Sequence, residues 1–334
     1  MKYPFYSGDG NRKQYDLSLN LPTSARSQLL KPGNYIADSG LKDACNVALL
    51  LGQPLLVTGE PGTGKTQLAY SLAWELGLDE PLKFETKSTS IARELFYTYD
   101  ALKRFQDVQS GAVSTKLLDY INYQALGLAI LRTRNPEEVK DILPTEALHT
   151  KKVRSVVLID EIDKAPRDFS NDLLNELELM YFRILELGNA KIAADQTLQP
   201  IVIITSNSEK DLPDAFLRRC IYYNIPFPKP ERLAEIVANR LGINAGNSSP
   251  FLQAALNLFY SLRSPQSGLR KKPATAELLG WLIILRKFNS ESENPLTKPE
   301  VVLITLSSLI KTAEDQEKAK KIVEQWIQER TKTT

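Results

Sequence analysis

Short apolar runs separated by amphipathic stretches set the pattern over the first two thirds of the chain. Leu55-Leu56-Val57, Leu82–Glu85, Val156–Ile159, Ile201–Ile204 and Ile221–Ile225 each read as a short strand. Several of them are apolar at almost every position, as strands buried on both faces are. Between most of them the apolar residues recur at helical spacing. Leu41, Ala44, Cys45, Ala48, Leu49 and Leu51 predict a helix over 41–51, stopped by Gly52-Gln53-Pro54. A second helix is predicted from about Lys65 to Leu76, closed by Gly77. Buried strands alternating with helices predict an α/β fold, a parallel sheet with helices on both faces.

The pattern changes after Pro226, Pro228 and Pro230. Residues 229–334 show no convincing strand and several amphipathic segments: Leu233–Leu241, Phe251–Leu262, Ala276–Phe288 and Val301–Ile310. A last segment carries Ile322, Val323, Trp326 and Ile327 on one helical face. A C-terminal all-helical domain behind a proline-rich hinge is the expectation. At the other end, residues 1–34 are polar, with glycine and proline scattered through them, and read as an extended lead-in. The expected organisation is therefore a lead-in over 1–34, an α/β core over 35–227 and a helical region over 228–334. A chain of 334 residues exceeds the roughly 250–300 at which single cores stop growing.

Composition narrows the chemistry. With 43% hydrophobic and 25% charged residues, disorder and collagen-like structure are excluded. No apolar run approaches the ~18 residues of a membrane span. Met1–Tyr6 lacks the apolar core of a secretory signal, so a cytoplasmic location is expected. Lys plus Arg total 42 against 40 Asp plus Glu. That balance argues against a dedicated nucleic-acid binder, though a local basic patch remains open. Cys45 and Cys220 lie far apart and read as reduced thiols. His149 is the only histidine, so a zinc site or a Ser-His-Asp triad has almost nothing to be built from. Chemistry here must run on carboxylates, lysine, arginine, backbone amides or a bound hard metal.

Gly59-Glu60-Pro61-Gly62-Thr63-Gly64-Lys65-Thr66 fits the pattern of a phosphate-binding loop. Polyphosphate needs several backbone N–H groups pointing inward, which requires glycines at backbone angles that other residues avoid. The helix that follows adds its N-terminal dipole. Lys65 is placed to reach the β- and γ-phosphates, and the Thr66 hydroxyl to hold Mg²⁺. The loop lies between a predicted strand and a predicted helix, the context that the chemistry demands.

Val156-Val157-Leu158-Ile159-Asp160-Glu161 is a buried strand ending in two carboxylates. Parallel sheets bind ligands at the carboxyl ends of their strands. Asp160 is thus a candidate metal residue, and Glu161 a candidate general base for an attacking water. Ile201–Ile204 followed by Thr205-Ser206-Asn207 repeats the arrangement with a polar end, where Asn207 could orient a water or touch the γ-phosphate. Arg218 and Arg219 precede the strand Ile221–Ile225. An arginine there could neutralise charge on a transferring phosphoryl group, or be an ordinary surface residue.

These four elements, in this order, resemble an AAA+ ATPase, and the surrounding residues resemble the MoxR family in particular. The likeness is carried by residues 59–66, by Asp160-Glu161-Ile162-Asp163-Lys164-Ala165-Pro166, by Leu212–Arg219 and by Leu269–Leu278. It extends from about Ala37 to Phe288. The resemblance implies a five-stranded parallel P-loop core with a helical lid, usually assembled as a ring of six, with ATP and Mg²⁺ bound between subunits. By position it makes Gly59, Glu60, Pro61, Gly62, Thr63, Gly64, Lys65, Thr66 and the following Gln67 nucleotide-binding. Thr66 and Asp160 become the metal residues, Glu161 the base and Asn207 the first sensor. Arg219, with Arg218 second, becomes the arginine acting on a neighbouring subunit. Arg270 is the choice for a second sensor, with Lys271 and Lys272 close by, and Tyr35 and Ile36 fall where the adenine pocket is usually lined. The family also carries a β-hairpin before the first-sensor strand, which Phe182–Leu187, Gly188-Asn189 and Lys191–Ala194 fit. Residues 85–155 are long enough for the family's helical insertion and more. Its aromatics Phe96, Tyr97, Tyr99 and Phe105 are either packing or the lining of a ring pore.

The leading expectation is an ATP-driven, chaperone-like ATPase that remodels a protein client. A partner bearing a von Willebrand factor A domain is a further expectation from the resemblance. The alternatives are an AAA+ nucleic-acid motor or loader and a nucleotide-gated scaffold with little turnover.

Overall fold

The structure, a computed structural model, describes residues 31–111, 117–143, 149–208, 210–242, 250–287, 296 and 299–331. The lead-in expected over 1–34 lies almost wholly outside them. The chain divides into two compact units. One comprises Pro32–Val237 together with Lys272–Glu277; the other takes in Ala238–Lys271 and the residues from Leu278 onward.

The first unit is built on a five-stranded sheet. Its strands are β1 (Leu55–Gly59), β2 (Leu82–Glu85), β5 (Val156–Asp160), β8 (Ile201–Thr205) and β9 (Ile221–Ile225), in the order β2-β5-β8-β1-β9. Every neighbouring pair is parallel. The register places Glu85 opposite Asp160, Val57 opposite Thr205 and Gly59 opposite Ile225, so the carboxyl ends share one edge. All five strands fall where the apolar runs predict them.

The pleat sends alternate residues to two separate cores. Leu56, Val157, Ile159, Val202 and Ile204 face one core. Leu55, Val57, Val156, Leu158 and Ile203 face the other, where α1 (Ser39–Leu51) and α2 (Lys65–Glu75) pack. Burial on both faces explains why these strands read as unbroken apolar runs. Helix α1 starts at Asp38, whose side chain accepts the Leu41 N–H at 2.9 Å, and stops at Gly52 in the left-handed conformation, φ 62°.

The region 85–155, expected to carry an enlarged helical insertion, holds strands as well as helices. It contains an antiparallel pair, β3 (Tyr97–Tyr99) and β4 (Ile121–Tyr123), beside α3 (Ala101–Ser110) and α4 (Ala125–Arg132). The strands' aromatic and β-branched residues favour the pleat over the helix. Phe96 and Tyr97 are buried, and the Phe96 ring stacks on Phe182 at 5.5 Å between centroids. They are therefore packing residues and not a pore lining, whereas Phe105 on α3 is 59% exposed. The expected hairpin forms as β6 (Tyr181–Ile184) against β7 (Ala190–Ala193). Buried Tyr97 ties it to the insertion: its hydroxyl donates to Glu186 at 2.8 Å and accepts the Leu185 N–H at 3.1 Å.

The described residues of the second unit are helical, as expected. They include α9 (Pro250–Arg263), most of α10 (Thr275–Lys287), α11 (Pro299–Thr305) and α12 (Ala313–Thr331). Trp281 is wholly buried there and donates its indole N–H to Thr305 at 2.9 Å. No helix of the described residues is long and apolar enough to cross a membrane.

Candidate functional site

β1 runs straight into the glycine loop, and α2 opens at Lys65. Gly59, Gly62 and Gly64 all have positive φ, at 143°, 80° and 93°. Space forbids a side chain there as well. A Cβ on Gly59 would lie 2.7 Å from the Ile225 carbonyl oxygen, and one on Gly62 2.9 Å from the Ala274 Cβ. Only glycine satisfies both the angle and the space. The first turn of α2 receives no side-chain cap, so its leading N–H groups remain available to an anion.

Lys65 is buried at the centre of this loop, its ammonium donating to the Gly59 carbonyl at 2.8 Å and the Glu60 carbonyl at 3.1 Å. Burial pushes its pKa below the ordinary lysine value, partly opposed by the charges of Asp163, Asp160 and Glu161. Tyr35 lies against the same loop, with its ring 3.0 Å from where a Gly64 Cβ would be. Gln67 has a buried side-chain oxygen with no hydrogen-bond partner among the described residues.

β8 lies between β5 and β1, so its last residue faces both the loop and the acidic pair. Thr205 is buried there. Its hydroxyl donates to Asp160 Oδ1 at 2.7 Å and accepts the Glu161 N–H at 2.8 Å. Thr66 also donates to Asp160 Oδ1, at 2.9 Å. The structure thus brings the two expected metal residues into direct contact. The second oxygen of Asp160 meets Lys83 Nζ of β2 at 3.0 Å.

Glu161 follows the strand in the left-handed region, φ 57° and ψ 52°. For a residue with a Cβ that conformation costs roughly 1–2 kcal/mol. It is held there by its N–H bond to Thr205 and by contacts on both carboxylate oxygens. Asn207 Nδ2 donates to Oε1 at 3.2 Å, and Lys164 forms an ion pair with Oε2. The Asn207 N–H donates in turn to Asp163 Oδ2 at 3.0 Å. The base and the sensor expected from sequence are therefore hydrogen-bonded neighbours.

The expected arginines each have partners of their own or are exposed. Arg219 donates from Nε to Glu178 at 2.8 Å, on α6 (Leu174–Leu179), and from Nη1 to the Ala215 carbonyl at 3.0 Å. Neither bond goes to the phosphate loop. Arg218 is exposed. Arg270 belongs to the second unit, where its N–H donates to Asp315 at 3.0 Å and its guanidinium pairs with Glu314 at 3.4 Å. Ile36 is half-buried.

Sequence reasoning assigned no role to Thr205, Lys164 or Lys83. Thr205 was the most accessible of the three, since a threonine ending a buried strand just before a polar sensor has a hydroxyl to spend on that edge. Lys83 leaves no such mark, because alternate polar residues on an edge strand are ordinary.

A parallel sheet whose first strand feeds an uncapped, glycine-lined helix start, beside a strand ending in paired carboxylates, defines a P-loop nucleotide-binding protein. Residues 55–228, just over half of the chain, match the ATPase family associated with various cellular activities (AAA). The chain belongs to that family. No curated protein compared with it matches.

Proposed function

We propose that this AAA protein is a Mg²⁺-dependent, MoxR-like ATPase that works as an oligomeric ring, with six subunits as the expected number, and remodels a protein client in the cytoplasm. The observation that carries the reading is the Asp160–Thr66–Thr205–Glu161–Asn207 network at the mouth of the glycine loop.

Each residue has a distinct task. The loop amides and Lys65 would bind the polyphosphate, with Tyr35, Ile36 and Gln67 the candidates to border the nucleotide. The donor set suits a hard divalent cation, with one hydroxyl, one carboxylate, and phosphate and water oxygens completing the shell. Thr66 and Asp160 would hold Mg²⁺, which supplies neutralisation of phosphate charge. Glu161 takes the proton of an attacking water, and Asn207 fixes the carboxylate that receives it. Catalysis is then mostly positioning and charge stabilisation.

Arg219 is the candidate for the phosphate-neutralising arginine that a ring neighbour would supply. In its own chain it is tied to Glu178 and the Ala215 carbonyl, bonds that it would exchange for the neighbour's phosphate. Arg218 is the reserve candidate, and Arg270 the candidate second sensor. A partner with a von Willebrand factor A domain belongs to the same proposal. Nucleic acid is the less favoured client, given the near-neutral charge of +2.

Turnover per subunit, measured across protein concentration for wild type, Arg219→Ala and Lys65→Ala, tests the assembly. Activity that climbs with concentration and collapses in both variants is expected. Flat activity surviving Arg219→Ala but not Lys65→Ala would mean a self-contained monomeric site.

A further inference from the structure

Asp160 divides its two oxygens between different kinds of partner. Oδ1 accepts the hydroxyls of Thr66 and Thr205, at 2.9 and 2.7 Å. Oδ2 faces the ammonium of Lys83 at 3.0 Å. The same ammonium lies 2.6 Å from Glu85 Oε1. The strand register sets this geometry. Glu85 is directly opposite Asp160, and Lys83 precedes it by two residues, so all three side chains share one face of the sheet.

The two acceptors differ in setting. The Asp160 side chain is 11% exposed, Glu85 is 71% exposed, and Lys83 lies between them at 28%. One acceptor is thus nearly buried at the proposed metal position, while the other is in water and has no part in the site. A divalent cation and an ammonium on one partly buried carboxylate repel each other strongly enough to matter. The lysine has an exposed carboxylate within reach onto which it can withdraw.

We propose that Lys83 is the charge that stands in for the metal: it neutralises Asp160 while no cation is bound and passes to Glu85 when a divalent cation takes Asp160. Lys83 thereby sets how much Mg²⁺ the site requires. No covalent bond changes; one ion pair is exchanged for another. The inference rests on the proposed reading of Thr66 and Asp160 as the metal residues.

Two substitutions at the two ends of this exchange should act in opposite directions. Lys83→Met removes the competitor, so less Mg²⁺ should suffice. Glu85→Gln removes the withdrawal point, leaves the lysine on Asp160, and should raise the requirement. The measurement is a Mg²⁺ titration of the binding of a fluorescent, non-hydrolysable ATP analogue to the full chain, with Asp160→Asn as reference. The Mg²⁺ concentration giving half the signal change should fall roughly three- to tenfold in Lys83→Met and rise a few-fold in Glu85→Gln. In the metal chelator EDTA, Lys83→Met should also melt earlier than wild type, and excess Mg²⁺ should restore most of the difference. Unchanged midpoints, or shifts of the same sign in both variants, would overturn the exchange. Wild-type binding indifferent to Mg²⁺ and equal to that of Asp160→Asn would remove the metal reading itself, and this inference with it.

Discussion

Thr205 carries an unusual share of the hydrogen bonds that hold the site together. Its hydroxyl is buried, with one bond to a carboxylate and one to the Glu161 N–H. Valine matches its shape and removes both bonds. Orphaning the partly buried Glu161 N–H costs about 1–2 kcal/mol, the lower part of the usual range, and losing a hydrogen bond to a charged group about 1.5–3 kcal/mol. The methyl that replaces the hydroxyl returns roughly 0.8 kcal/mol of apolar burial. Hydrogen-bond loss therefore wins, and Thr205→Val should destabilise the α/β unit by about 2–4 kcal/mol. The functional effect should be larger than that figure suggests. Glu161 stands in a left-handed conformation at φ 57°, and the Thr205 bond is one of the contacts that hold it there. Turnover should fall at least about tenfold. Thr205→Ser keeps the hydroxyl and should stay within about threefold of wild type. Urea unfolding gives the first quantity, and steady-state ATP hydrolysis the second. A Thr205→Val protein within about 0.5 kcal/mol of wild type and equally active would refute this account of the strand end.

Other consequences follow from packing and from burial. Gly127 on α4 meets the chain so closely that a Cβ would lie 2.0 Å from the Phe96 carbonyl oxygen. Because the obstacle is backbone, Gly127→Ala should cost about 3 kcal/mol, read as a lowered melting temperature. Tyr97→Phe removes the hydroxyl bonded to Glu186 and Leu185. It should cost about 1–3 kcal/mol and raise amide exchange in the hairpin. Burial pushes the Cys220 thiol up to about 12; burial, with Glu75 and Asp38, pushes Cys45 up to about 11. An unfolded thiol loses its proton at about pH 8.5. The folded state holds these protons longer, so their contribution to stability is whole below that pH and is lost as pH rises through the folded values. At pH 8 a disulfide reagent such as DTNB should label both slowly in the native protein and rapidly in urea.

How much of this was legible in sequence depends on how local the physics is. Apolar runs such as Val156–Ile159 announce a doubly covered parallel strand, because burial on both faces leaves no polar position. The glycine loop is legible because its three positive-φ positions admit no other residue without strain. The acidic pair and Asn207 could be ordered along the sheet edge from the same logic. What escaped was lateral. That Asp160 would be shared among Thr66, Thr205 and Lys83 follows from the strand order β2-β5-β8-β1-β9, which no single segment encodes. The insertion misled for a related reason. Tyr97–Tyr99 and Ile121–Tyr123 are three-residue strands far apart in sequence, too short to show a period on their own. Sequence leaves the nearby aromatics between packing and a pore lining, and the structure places Phe96 and Tyr97 in the hairpin core.

The central claim is that Glu161 activates water at a Mg²⁺–ATP site built on Lys65, Thr66 and Asp160. Glu161→Gln preserves the side chain's size and removes its ability to take a proton, so binding and chemistry can be read apart. With radiolabelled ATP, the variant should bind nucleotide within about threefold of wild type and release phosphate at least about a hundredfold more slowly. Equal turnover in the two proteins would contradict the assignment.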